Sequence, residues 1–143
     1  MCASGCFDLL HPGHVRLLEQ ARGLGGVLIV LLESDEDARR RFSQPKVPDR
    51  TAPARPVTDA AKRAEIVAAL AAVDYVTIVE GGSPREFLAR LSPDTLVVAA
   101  NSDTDARREP DGLAPAGCKI VRVAPEPGYS TSLLIGRIRE ARP

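Results

Sequence analysis

The stretch GCFDLLHPGH, residues 5 to 14, contains both histidines of this 143-residue chain, His11 and His14. Imidazoles three positions apart lie on one side of a helical turn. From there they can donate hydrogen bonds to phosphate oxygens and stabilise charge that builds up during phosphoryl or nucleotidyl transfer. The neighbouring residues suit an anion. A helix N-terminus preceded by glycine offers unpaired N–H groups and the positive end of the helix dipole. Gly5 lets the backbone approach closely at the end of a strand, and Pro12 suits a first helical turn. Gly13 removes a side chain where a ligand would press on the backbone. Two other readings compete, a metal site and plain surface histidines. A metal normally wants a third or fourth ligand, and no further histidine exists to supply one. Surface histidines would not usually sit between glycines at a strand-to-helix junction.

The elements around this stretch say how it is held. In HVRLLEQARGLGG, Val15, Leu17, Leu18 and Ala21 form one helical stripe, and Gly23, Gly25 and Gly26 stop it. VLIVLL, residues 27 to 32, is an unbroken apolar run that predicts a fully buried strand. Residues 41 to 57 carry four prolines and no periodicity, so a long loop is expected, of the kind that often serves binding. Thr58 or Asp59 caps the next expected helix, with Ile66, Val67, Leu70 and Val73 inward. Strands follow at 75–79, 95–99 and 119–123, with a short helix between the first two, opened by Ser83 and Pro84. A last helix starts at Ser130 or Thr131. SDEDARR at 34–40 is echoed by SDTDARR at 102–108, which is read as two separate strand-to-helix loops with Ser or Asp caps.

Alternating strands and helices imply right-handed βαβ units. The expected fold is α/β, a Rossmann-like doubly wound parallel sheet of about five strands with helices on both faces. Ligands in such sheets bind beyond the carboxyl ends of the strands, where the strand order reverses. The opening stretch stands at such a place. Only Met1 to Ser4 precede it, so the first strand is short.

Bulk composition narrows the function further. The length is that of one domain, expected to span 1–143, and 44% apolar with 27% charged residues is globular. Nineteen basic and nineteen acidic residues cancel, which argues against a general nucleic-acid binder. Three cysteines, Cys2, Cys6 and Cys118, lack metal-ligand spacing, and with no signal peptide they suggest a reducing, cytoplasmic setting. The longest apolar run has six residues, too few to span a bilayer, so no membrane association is expected.

GCFDLLHPGHVRLLEQAR resembles the signature of the cytidylyltransferase-like nucleotidyltransferases, with their H-x-G-H tetrapeptide. It is most similar to the bacterial branch that adenylylates heptose 1-phosphate, related to glycerol-3-phosphate cytidylyltransferase. The similarity continues in LLESDEDARR, in residues 55–79 and in GYSTSLLIGRIRE. It implies transfer of a nucleoside monophosphate from a nucleoside triphosphate, ATP or CTP, to a sugar or polyol phosphate, releasing pyrophosphate. It also implies Mg²⁺, in-line attack without a covalent intermediate, and a homodimer. Carried over by position, His11 and His14 hold the triphosphate and stabilise the transition state. Gly5, Cys6, Phe7, Asp8 and Gly13 shape the nucleotide pocket, and Asp8 also borders the acceptor.

Lys46 stands where the family has a mobile phosphate-binding lysine, against the alternative of a solvated loop charge. Arg63 could reach phosphate, or it could be an exposed helix arginine. Ser130, Thr131 and Ser132 match a second phosphate cradle, against a plain N-cap. The segment VVAANSDTD departs from the family's Lys-Gly-Gly-Asp-Tyr-like text, with Val98 and Asn101 in the lysine and aspartate positions. Ala100, Asn101 and Asp103 would border the acceptor, so this departure bears on which sugar phosphate and which base are used. A degenerate, non-catalytic nucleotide-binding module is the rival from another class.

Overall fold

The computed structural model describes residues 1–42, 54–81, 84–100 and 114–141. In chain order the elements are β1 (Cys2–Gly5), α1 (Pro12–Arg22), β2 (Ile29–Glu33), α2 (Asp35–Phe42), α3 (Ala60–Ala68), β3 (Tyr75–Val79), α4 (Pro84–Leu91), β4 (Thr95–Ala99), β5 (Lys119–Val123) and α5 (Thr131–Glu140). The strands form one parallel sheet in the order β3-β2-β1-β4-β5, the Rossmann-like arrangement that the alternation implied.

Successive strand residues point to opposite faces, and each face here has its own apolar layer. Ala3, Val30, Leu32, Val97 and Val123 pack against Leu17, Leu18 and Ala21 of α1 and Val67 of α3. Cys2, Leu31, Val79 and Leu96 pack on the other side against Leu88 of α4. Helices therefore cover both faces. At the sheet edge of the first layer, the Asp74 carboxylate accepts from Leu28 N at 2.7 Å and from Arg22 Nη1 at 2.6 Å, tying the end of α1 to the start of β2.

Register explains where the sheet opens. β1 pairs with β2 along its whole length, from Cys2 opposite Ile29 to Gly5 opposite Leu32. Its pairing with β4 ends earlier, at Ala3 opposite Val97. The chain leaving Gly5 thus enters a crevice between strands whose connections run to opposite sides, the usual ligand position in such sheets. No helix among the described residues is long and apolar enough to cross a membrane.

Several expectations need correction. Ile66 does not face inward but is 49% exposed. α3 buries Arg63 and Val67, four apart on one stripe, and that rotation turns Ile66 outward. Leu70 and Val73 do pack on the core, although α3 ends before them. Val27 is 47% exposed because β2 begins only at Ile29. Residues 41 and 42 belong to α2, not to a loop. α2 opens as a reciprocal cap, with Asp37 N donating to Ser34 Oγ at 3.2 Å and Ser34 Oγ donating to Asp37 at 2.9 Å. Asp59, rather than Thr58, caps α3. The rest of the proline-rich segment up to residue 53, the echo at 102–108, and Ser83 lie outside the described residues.

The Ile66 correction has a measurable consequence. Val67→Ala should lower unfolding free energy by about 2 kcal/mol, whereas Ile66→Ala should cost less than about 1 kcal/mol. Urea denaturation of the two variants distinguishes them, and equal losses would return Ile66 to the core.

Candidate active site

Between β1 and α1 the backbone makes an unusual turn. Phe7 (φ 52°) and Leu9 (φ 49°) both adopt the left-handed conformation, which costs a non-glycine residue on the order of 1–2 kcal/mol. Asp8, between them, supplies the compensation. Its buried carboxylate accepts from Val57 N at 2.9 Å, Thr58 N at 3.3 Å and Arg55 Nε at 3.1 Å. Its carbonyl accepts from Thr131 Oγ1 at 2.7 Å. A hydrogen bond to a charged group contributes about 1.5–3 kcal/mol, so this set outweighs the backbone strain. Three distant segments, the opening turn, residues 55–58 and the start of α5, converge on one residue.

The turn delivers His11 to the N-cap of α1, with Pro12 in the first turn as expected. The His11 side chain makes no cap hydrogen bond. Instead its ring stacks on that of His14, with centroids 3.8 Å apart and planes 24° apart. The Phe7 ring tilts against His14 at 5.4 Å. Gly13 makes room for this stack. A methyl group there would lie 3.0 Å from the His11 ring, so what presses on the Gly13 backbone is the imidazole itself. Gly5 likewise makes room for the Phe7 ring, at 3.1 Å.

Both imidazoles lie in surroundings that oppose a proton. Burial pushes His14 down to about 4, aided by His11 and Arg55, while Asp8 pulls the other way. Burial also lowers His11. Both rings are therefore neutral near pH 7. Among the described residues, neither Nδ1 has a hydrogen-bond partner although both are buried. The result is a stacked pair of neutral rings with two unmet polar atoms at the start of α1, a departure from the usual pairing of buried polar groups.

Arg63 departs from both of its expected roles. It is 1% exposed, and its guanidinium is spent inside the protein. Nε donates to Thr58 O, Nη1 to Cys6 O and Sγ, and Nη2 to Glu33 O and Asp35 Oδ1. All five of its donors are thus engaged, none turned to a phosphate. Asp35 is partly buried, which opposes its ionisation, but hydrogen bonds from Arg63 and the Ala60 backbone hold its carboxyl below the usual range. Cys6 is buried beside Arg63, and burial raises its thiol.

At α5, Ser130 Oγ caps the helix by accepting from Leu133 N at 3.1 Å. The Thr131 hydroxyl is committed to Asp8, which leaves Ser132 as the exposed hydroxyl of the three. Ala100 lies just past β4, its N–H on Val123 O at 2.7 Å. Lys46, Asn101 and Asp103 lie outside the described residues.

Sequence reasoning passed over Arg55 and Phe42. The Arg55 guanidinium lies 3.8 Å above the Phe42 ring and beside Asp8. The available signal was a cation immediately before a proline, three residues ahead of a helix-capping Thr-Asp pair.

Among the described residues, no three His, Cys, Asp or Glu side chains gather to hold a metal. The Asp8 oxygens are already taken up by three donors. Asp8 is the one carboxylate of residues 5–14, so a magnesium ion at this turn would take most of its ligands from phosphate and water.

The sequence model of the cytidylyltransferase-like family matches residues 2–137 of the chain. A Bradyrhizobium diazoefficiens protein named Bifunctional protein HldE is 40% identical over 136 residues, and one of the same name from Rhodopseudomonas palustris TIE-1 is 38% identical over 139. These alignments cover 95% and 97% of this chain but 26% of each relative, so the chain spans about a quarter of their length. Among solved structures, the lipopolysaccharide core biosynthesis protein from Thermoplasma volcanium shares the fold. Its TM-score is 0.67 at 24% identity, covering 87% of this chain and 95% of that one.

Two measurements probe this geometry. Asp8→Ala should destabilise the fold by about 2–4 kcal/mol, since it removes the partner of the partly exposed Arg55 guanidinium and strands two N–H groups, while Thr131→Val should cost about 1 kcal/mol. In an NMR titration His14 should protonate near pH 4 instead of 6.5. The unfolded chain then takes up that proton first, so stability should fall as pH drops from 6.5 towards 4. A His14 midpoint at 6.5 would contradict the buried stack.

Proposed function

This chain belongs to the cytidylyltransferase-like family, and on that premise we propose that it transfers a nucleoside monophosphate, AMP from ATP, to a sugar phosphate such as heptose 1-phosphate. The observation that carries the proposal is the stacked His11–His14 pair at the N-terminus of α1, with both Nδ1 atoms unpaired. An oxygen of the acceptor phosphate forms the new bond to the α-phosphorus, and the bond from that phosphorus to the pyrophosphate oxygen breaks. The attacking oxygen is already anionic, so no general base is required. What the site must supply is alignment and stabilisation of the charge that moves onto the α-phosphate and the leaving pyrophosphate.

Neutral imidazoles suit that task. They donate hydrogen bonds to phosphate oxygens without first placing two positive charges in contact, and an arriving triphosphate favours their protonation. The positive end of the α1 dipole adds to the same field. The start of α5, beside the exposed Ser132, offers a second anchor. Magnesium would enter as the counter-ion of the triphosphate, with no step here routed through a protein-bound ion. The heptose 1-phosphate acceptor and the adenine base rest on the resemblance of GCFDLLHPGHVRLLEQAR and residues 55–79 to the heptose-adenylylating branch. CTP with a polyol phosphate is the alternative within the same chemistry.

Incubation with ATP or CTP and a panel of sugar and polyol phosphates should release pyrophosphate. ATP with heptose 1-phosphate should be the fastest pair. His11→Ala or His14→Ala should each lower kcat by about 100- to 1000-fold. Full activity in both variants would remove the mechanism, and faster turnover of CTP would reassign the base.

A further inference from the structure

Two arginines flank the opening turn, and the protein uses them differently. Arg63 has all its donors engaged by protein acceptors. Arg55 spends Nε on Asp8 Oδ2 at 3.1 Å and lays its guanidinium on the Phe42 ring, with Cζ 3.8 Å from the ring centroid. Among the described residues, its terminal nitrogens Nη1 and Nη2 have no hydrogen-bond acceptor. The side chain is 18% exposed, whereas its partner Asp8 is 0% exposed. The guanidinium therefore lies at the boundary between the buried tie and solvent. It is also close enough to His14 to disfavour a proton there.

We propose that Arg55 is a phosphate-binding residue of this site, fixed by Asp8 and Phe42 so that its terminal nitrogens receive the triphosphate beside His14. The physical argument is one of preorganisation. An arginine held at Nε by a carboxylate and across its plane by an aromatic ring has lost most of its rotamer freedom before a ligand arrives. Its remaining N–H groups form a planar fork that matches two phosphate oxygens. Asp8 offsets part of the charge, but it also accepts from Val57 N and Thr58 N, so it is not devoted to the arginine. A polyphosphate brings enough negative charge to engage the free end without breaking the Nε contact. The arrangement also places a permanent cation next to two neutral imidazoles, which supplies the fixed positive charge that the histidines lack near pH 7.

This deepens the nucleotidyl-transfer reading and rests on it for the identity of the anion. Calorimetry with inorganic tripolyphosphate, ATP and AMP separates the two. Arg55→Gln should weaken tripolyphosphate and ATP by about 10- to 100-fold, the range for hydrogen bonds to charged groups, and AMP by less than about 3-fold. Arg55→Lys should fall between, because a point charge replaces the fork. If Arg55→Gln does not fold, as judged by its melting transition, the lysine variant carries the same comparison. Unchanged tripolyphosphate binding, equal losses for ATP and AMP, or no tripolyphosphate binding by the natural chain would each overturn the assignment. Arg55-dependent tripolyphosphate binding without pyrophosphate release on any acceptor would uphold it while removing the transfer reading.

Discussion

Asp8 sits between two residues in left-handed backbone, and at its buried carboxylate and main-chain carbonyl three separate parts of the chain meet. The constraint is mutual. Residues 55–58 have no regular structure, so their N–H groups need an acceptor, and a buried carboxylate needs donors. Satisfying each other, they fix the turn that sends His11 to the helix N-terminus. The hydroxyl of Thr131 adds the start of α5 to the same knot. Position of the imidazoles, of Arg55 and of the last helix therefore depends on one residue, through its carboxylate and its main-chain carbonyl.

The second constraint is electrostatic. Burial first, then the neighbouring His11 and Arg55, disfavour a proton on His14. Such surroundings suit an anion better than they suit an imidazolium. Of these influences, the Arg55 charge is the one that would also favour a phosphate beside the rings. Stacking at 3.8 Å is compatible with neutral rings, whereas two imidazolium ions at that distance would repel.

The buried arginine has a different purpose from the exposed one. Arg63 joins the ends of β1 and β2 to the start of α3 through the carbonyls of Cys6, Glu33 and Thr58 and the carboxylate of Asp35. These are carbonyls at strand ends and turns, and a five-donor fork is the side chain best able to satisfy several at once. It makes the floor of the crevice rigid. A lysine there would leave carbonyls unpaired, so the charge alone does not explain the residue.

Local order along the chain already carried the strands at 75–79, 95–99 and 119–123, caps at 58 or 59 and at 130 or 131, and the meeting of His11 and His14 on one side, although His11 is the extended N-cap and not part of the helical turn. Those features depend on neighbours within a few positions, where period, capping and turn chemistry act. Ile66 was misplaced because a stripe of apolar residues does not reveal that a buried arginine has set the rotation of its helix. The roles of Arg63, Thr131 and Gly13 changed for a similar reason. Arg63 finds its acceptor 57 residues away, Arg55 its carboxylate 47 away, and Thr131 its carbonyl 123 away. No local pattern encodes such meetings. Chain order sets side by side the residue types that suit phosphate, because they are contiguous from Gly5 to His14. Folding across the crevice says which polar groups the protein uses up on itself and which it leaves for a ligand.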